Sequence, residues 1–473
     1  MSGEPPTAQG VPERLWPVLK ATQPIAERLR AAGKRVYLVG GPVRDGIVGR
    51  PGGAGPGTDA DIDLTTDATP DEIEALFADL SDALWNQGKR FGTIGMMRAG
   101  RRFEITTHRA EAYAPDSRKP EVRFGHDIET DLSRRDFTVN AMALSLPELV
   151  LVDPFNGIGD LAARRLRTPL DPEVSFSDDP LRMLRAARFI AGYGLKPDPE
   201  LVAAVESMCS RLEIVSRERI RDELDKLLVL PDPTPGLWFL VNTGLAMEFL
   251  PELSALALEQ DPIHRHKDVL AHTIAVVAKT GPDRTLRLAA LFHDVGKPLT
   301  RSIGPGGVHF HHHDIVGARM ARKRMQELRY PTELIDDVEQ LVTLHLRFHT
   351  YKMGWTDSAV RRYAHDAGPL LGRLNELTRC DCTTRNEAKA RDLGLRMDEL
   401  ERRLTELRQR EELDSIRPEL DGVAVMKHLG IGPSRDVGAA LDFLLQVRLD
   451  EGLLGEEEIL QRLDRWWAGA VEN

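Results

Sequence analysis

Strand signals in this chain are gathered near its N-terminal end. Arg35 to Val39 (RVYLV) and Asp61 to Thr66 (DIDLTT) are β-branched and aromatic runs. Phe91 to His108 (FGTIGMMRAGRRFEITTH) reads as a hairpin turning at Ala99-Gly100. Leu15 to Ala32 has a helical pattern, and from about Ser177 onward helical periodicity dominates to the C-terminus. That division predicts an α+β fold, a small α/β head followed by a long all-α body. The 473 residues exceed what one core holds and imply roughly three domains or more. Pro- and Gly-rich residues open the chain and are expected to be disordered, and residues 49–60 (GRPGGAGPGTDA) to form a mobile loop.

Composition narrows the function classes. With 41% hydrophobic and 29% charged residues, most of the chain should fold. A net charge of -11 argues against a pure nucleic-acid clamp, so RNA binding must come from local patches. Cys209, Cys380 and Cys382 form no CxxC pair and no disulfide framework, which points to a reducing compartment. No run of 18 apolar residues predicts a membrane span, and the N-terminus lacks the apolar stretch of a signal peptide. The expected location is the cytoplasm, with no membrane partner.

Asp61 and Asp63 lie two apart on a predicted strand and so share a face. Paired carboxylates suit two-metal phosphoryl transfer, and Glu104 on the hairpin offers a third. Alone, Asp-x-Asp is more often a solvated strand edge. Its surroundings matter more. Gly40-Gly41-Pro42-Val43-Arg44-Asp45 falls between a strand and a helix. Its glycines let backbone approach phosphate, Pro42 can start the helix, the helix N-terminus attracts anions, and Arg44 adds charge. In Arg134-Arg135-Asp136-Phe137-Thr138-Val139-Asn140-Ala141, Asp136 and Asn140 are four apart and are expected on one helix face, able to hold a ribose hydroxyl or to form a surface cap. In Asp178-Asp179-Pro180-Leu181-Arg182-Met183-Leu184-Arg185, Asp179 reads as an N-cap and Pro180 as the first helical residue. Arg182 follows on the same side, either as a working residue or as its intrahelical ion-pair partner.

The blocks GGPVRD, DID, RRDFTVNAMA and DDPLRMLRAARF, with VSRERIRDELDKLL (Val215 to Leu228) after them, together resemble the class II tRNA nucleotidyltransferases, the CCA-adding enzymes, and the related bacterial poly(A) polymerases. The resemblance covers residues 35–230 and implies a polymerase-β-like head with helical neck, body and tail. It implies metal binding by Asp61 and Asp63, triphosphate contact by Arg44, a ribose-side role for Asp136, and base reading by Asp179 and Arg182. Gly40, Gly41, Arg135, Asn140, Arg185 and Arg188 complete the expected nucleotide site. Asp178 departs from the Glu usual at that place, and the loop at 49–60 is longer than the family leads one to expect. The base reader also makes chemical sense by itself. Cytosine and adenine share an amino donor beside a ring-nitrogen acceptor, which a carboxylate and a guanidinium can satisfy together. Guanine and uracil present the reverse.

Residues 108–124 (HRAEAYAPDSRKPEVRF) resemble the flexible loop of CCA-adding enzymes, and the C-terminal WWAGAVEN is not the basic tail of poly(A) polymerases. The expected activity is therefore addition of C, C and A from CTP and ATP to tRNA lacking its 3′ end, with Mg2+. The alternatives are poly(A) addition, or a hydrolase with a regulatory head. A second constellation comprises His272, His293-Asp294 in LFHDVGK, His313, His345 and Asp381. Such a set on neighbouring helices can enclose one or two divalent ions. It resembles the HD-domain metal phosphohydrolases, whose metal identity and turnover here stay open, while His309, His311 and His312 read as a solvated loop. The expected domains are a disordered 1–14, head 15–160, neck and body 161–260, HD domain 261–390 and helical tail 391–473, with oligomeric state left open.

Overall fold

The computed structural model describes residues 12–49, 61–108, 125, 127–257, 268–304, 307–351, 355–382, 387–411 and 416–471. Residues 1–11, 50–60 and 109–124, on which expectations of disorder and of loops fall, lie outside the described residues. Glu13–Leu15, expected to be disordered or at its border, form a 3-10 turn that leads into the helix Trp16–Ala31. The chain divides into two compact units, one of Met1–Leu227 with Pro235–Phe249, the other of Leu228–Thr234 with Leu250–Asn473.

The first unit holds a seven-stranded mixed sheet. Its strands are β1 (Val36–Val39), β2 (Ile62–Thr66), β3 (Ala83–Trp85), β4 (Thr93–Arg98), β5 (Arg101–Thr107), β6 (Ala143–Leu146) and β7 (Leu151–Val152), in the order β3-β4-β5-β2-β1-β6-β7. Only β2 and β5 run parallel. β4 and β5 form the expected hairpin. Ala99 (φ 49°) and Gly100 (φ 71°) both take left-handed backbone, the turn that matches strand twist. In β2 the alternation is decisive. Ile62 and Leu64 are buried in the core, which turns Asp63, and Asp61 just before the strand, to the opposite face. Tyr37, Val39, Ile128, Leu132, Ala141 and Ala143 form a core cluster in the head.

Helices Pro172–Asp178, Leu181–Tyr193, Pro199–Met208 and Arg217–Leu228 follow the head. Among its described residues the second unit is helical apart from a hairpin, Arg301–Gly304 with Gly307–Phe310. His309, expected in a loop, lies on that hairpin. His309, His311 and His312 are exposed. Near the C-terminus three helices, Gly422–Leu429, Arg435–Glu451 and Glu456–Val471, pack on Leu420, Val425, Leu444, Ile459 and Leu463.

Candidate active site and second metal centre

β1 ends at Gly40, whose backbone (φ 72°, ψ -134°) disfavours any side chain. A Cβ there would stand 3.3 Å from an Arg135 nitrogen and 3.4 Å from Asp63 Oδ2. The turn therefore needs glycine, because backbone, carboxylate and guanidinium converge on it. The helix that follows runs Gly41–Val48, so Pro42 is its second residue rather than its first.

Gly40, Gly41, Arg44, Asp63, Arg134, Arg135, Asp136, Asn140, Asp179, Arg182, Arg185, Arg188 and Phe189 line one cleft of about 420 Å3. Six arginines against three aspartates make this a positive patch on a chain of net charge -11. Arg44 is buried and held rigidly. It donates to Asp45 (2.8 Å) and to the Asn140 carbonyl oxygen, and stacks over Tyr193 at 4.2 Å. A preorganised guanidinium loses little freedom on meeting phosphate.

Asp136 and Asn140 do touch, though not as helix neighbours. Asp136 precedes a single 3-10 turn, Thr138–Asn140, and the Asn140 amide donates to it at 2.9 Å. The expectation of one α-helical face fails because Phe137 takes extended backbone before that turn. Asp136 also pairs with Arg185 at 2.7 Å. Burial would raise its carboxyl, but Arg185, Asn140 and Arg182 outweigh it and hold the group below the usual carboxylate range.

The helix after Asp179 begins at Leu181, with Pro180 at its N-cap, one residue later than expected. Asp179 still accepts from the Leu181 N–H at 3.2 Å. The Asp179 and Arg182 side chains are not each other's partners, although the Arg182 N–H donates to the Asp179 carbonyl at 3.0 Å. Asp179 pairs with Arg219 at 2.7 Å, and Arg182 donates to Ser175 Oγ at 2.8 Å and to the Arg134 carbonyl. Arg188 pairs with buried Glu223 at 2.7 Å. The block from Val215 to Leu228 thus supplies Arg219 and Glu223 as supports, roles that its sequence did not disclose.

In the sheet, Asp63 is paired directly with Glu104. Arg102, two residues before Glu104 on the same strand face, lies 3.2 Å from Asp61 and 3.4 Å from Glu104. Sequence reading passed over it, although that spacing was its signal. Burial, helped by Glu104 and Asp61, pushes the Asp63 carboxyl up to about 6, and burial likewise raises Glu104. Two carboxyls that resist ionising, with Asp61 beside them, fit a place for divalent cations.

In the second unit, His272, His293 and Asp294 form one cluster of ligand atoms, and Asp294, His313 and His345 another, sharing Asp294. Asp381 joins through His272 at 2.9 Å. Three rings are aimed alike. Nδ1 of His293, His313 and His345 meets the carbonyl three residues earlier, at 2.7, 2.8 and 2.6 Å. That contact fixes the proton on Nδ1 and turns Nε2 into the ligand atom. Among the described residues the buried Nε2 of His345 has no hydrogen-bond partner, a cost that a metal ion removes, and His313 Nε2 lies 3.4 Å from Asp294 Oδ1. Despite burial, Asp294 and Asp381 push His293 up to about 10. Burial and the charge of His293 push His345 down to about 4. The cluster holds a proton where a cation fits. His349, 3.4 Å from Asp381, and Lys297, 2.6 Å from Asp294, extend it and were not picked out as site residues.

A mixed sheet with a carboxylate row beside an arginine cleft, followed by helices, defines the class, a nucleotidyltransferase fold. Residues 36–167 match the poly(A) polymerase head domain, 194–256 the "probable RNA and SrmB-binding site of polymerase A", and 269–386 the HD domain. The A-adding tRNA nucleotidyltransferase of Deinococcus radiodurans is 35% identical over 355 residues, 72% of this chain and 80% of that protein. The chain belongs to the tRNA nucleotidyltransferase and poly(A) polymerase family, with an HD domain. The CCA-adding enzyme of Leuconostoc citreum is 40% identical over 208 residues, 44% of this chain and 49% of the relative. The chain spans about half the length of that enzyme. The structure of the Bacillus stearothermophilus CCA-adding enzyme in complex with CTP shares the fold, with a TM-score of 0.70 and 24% identity over 98% of this chain and 99% of that one. Among the described residues no helix is long and apolar enough to cross a membrane.

Proposed function

We propose that this chain adds C, C and A to the 3′ end of tRNA from CTP and ATP, without a nucleic-acid template. The observation that carries this reading is the pairing of two site halves in one unit. Asp179 and Arg182 line the same cleft as Gly40, Arg44 and Asp63. A base-reading carboxylate and guanidinium therefore sit on the cleft that takes the triphosphate. Asp179, held by Arg219, accepts from the amino group of cytosine or adenine, and Arg182, held by Ser175 and Arg134, donates to the ring nitrogen. Arg44 and the Gly41 helix N-terminus bind phosphate, and Asp136 with Asn140 faces the ribose. Asp61 and Asp63, with Glu104 beside them, would hold Mg2+, which lowers the pKa of the attacking hydroxyl and neutralises the departing pyrophosphate.

A second reading has one observation in its favour. A relative that matches 72% of this chain is an A-adding enzyme. The test separates the readings. Purified protein is given tRNA ending at the discriminator nucleotide, or ending in CC, with each labelled nucleotide. CCA addition predicts two C residues and then A on the first tRNA. An A-adding enzyme extends only the tRNA ending in CC, and a poly(A) polymerase adds long A tracts. Absence of C incorporation on the first tRNA would falsify the proposal. For the second unit, the buried histidines and carboxylates support a metal-dependent phosphohydrolase site.

A further inference from the structure

Nucleotidyl transfer joins two substrates, and the arginine cleft accounts for one. A second cavity, of about 410 Å3, adjoins the carboxylates from the other side and is lined by Trp85, Gln87, Phe91, Arg102 and Glu104 among others. The two cavities are linked by a row across the sheet. Trp85 on β3 pairs with Gly95 on β4, Gly95 with Glu104 on β5, and Glu104 with Asp63 on β2. Residues directly opposite across neighbouring strands present side chains on one face. The row thus begins with an indole in the second cavity and ends with a carboxylate in the arginine cleft. Gly95 is what permits this. A Cβ there would fall 2.0 Å from the Trp85 indole nitrogen, so the missing side chain lets the indole lie over β4 toward Glu104. Arg102 lies over the same ring at 5.2 Å while it pairs with Asp61 and Glu104.

We infer that this aromatic cavity receives the 3′-terminal nucleoside of the acceptor RNA, its base stacked on Trp85, so that the terminal hydroxyl is delivered to the carboxylate row. The inference rests on the nucleotide-adding activity proposed above. Its chemistry is distinct from that of the cleft. Stacking tolerates any base, which an acceptor site requires because successive additions change the terminal base, whereas the Asp179 and Arg182 pair selects. Phe91 offers a second apolar surface, and the Gln87 amide a donor and an acceptor that suit every base.

The test is a cycle of two changes in the full chain, Trp85→Ala in the protein and an abasic 3′-terminal nucleotide in tRNA lacking CCA. Loss of one base stack lowers kcat/KM for tRNA about tenfold. Trp85→Ala and the abasic tRNA should each show that loss, and the two together little more than either alone. The KM for CTP should stay within about twofold, and Trp85→Phe should recover most of the rate. Melting curves check that each variant is folded. Losses that multiply, an unchanged kcat/KM in folded Trp85→Ala, or a KM for CTP that rises in step overturn this inference alone. A wild-type protein that adds nothing to any tRNA overturns the proposed activity and this inference with it.

Discussion

Asp63 illustrates what burial costs a single candidate metal ligand. Its carboxyl is pushed up to about 6, from an ordinary value of 3.8, by burial first and then by Glu104 and Asp61. The folded protein therefore binds this proton more tightly than the unfolded chain does. Stability from this group is present below about pH 4 and is lost as pH rises through about 6, a deficit of about 3 kcal/mol at neutral pH. Asp63→Asn should then melt higher than wild type at pH 7.5 in chelator and about equally at pH 4, while nucleotide addition disappears. Added Mg2+ should stabilise the wild type more than the variant. Equal melting of the two proteins at pH 7.5 in chelator would sink this account. The proposed base reader makes a second residue-scale prediction. Asp179→Asn puts an amide where only an acceptor stood, so it can face the carbonyl of uracil or guanine. Discrimination against UTP and GTP should fall about tenfold, read by single incorporation of each nucleotide. Undiminished preference in a folded, active variant would remove Asp179 from that role.

Among the elements, β1, β2 and the β4–β5 hairpin were legible, whereas the strands β3, β6 and β7 were not. Ala99-Gly100 marked its turn, and Ile62 and Leu64 marked the buried face of β2, because both signals are local. The short turns were not. Asp136 to Asn140 reads as helix by spacing and folds as a 3-10 turn, since the contacts of Asp136 with Asn140 and Arg185 decide its path. Helix Pro70–Phe77 offers a stability test away from the cleft. Thr69 accepts from the Glu72 N–H and Glu72 accepts from the Thr69 N–H, a complete capping box. Thr69→Ala should cost about 1 kcal/mol of stability, measured by denaturant melting, and leave the rate of nucleotide addition unchanged. A loss of activity in the folded variant would show that this helix matters beyond its packing.

At the scale of the whole molecule, two candidate metal-binding constellations fall in two separate compact units. Asp61, Asp63 and Glu104 belong to the first. His272, His293, Asp294, His313, His345 and Asp381 belong to the second. Separate units predict separable chemistry. His293→Ala with Asp294→Ala should abolish metal-dependent hydrolysis of phosphomonoesters and cyclic phosphodiesters and leave nucleotide addition within about twofold. Loss of addition by the folded double variant would show that the units work as one.

The sequence by itself determined the order of the parts and the identity of most charged groups. Glycines at a strand end, alternating carboxylates, and histidine-aspartate spacings on helices are short-range patterns whose physics is complete within a few residues. Partners were a different matter. That Asp179 meets Arg219 forty positions away, that Arg102 joins Asp61 to Glu104, and that Trp85, Gly95, Glu104 and Asp63 line up across four strands depend on register and long-range packing. Strand register and helix packing are settled by burial of distant apolar faces. Only the tertiary structure therefore decided which of the legible residues face one another.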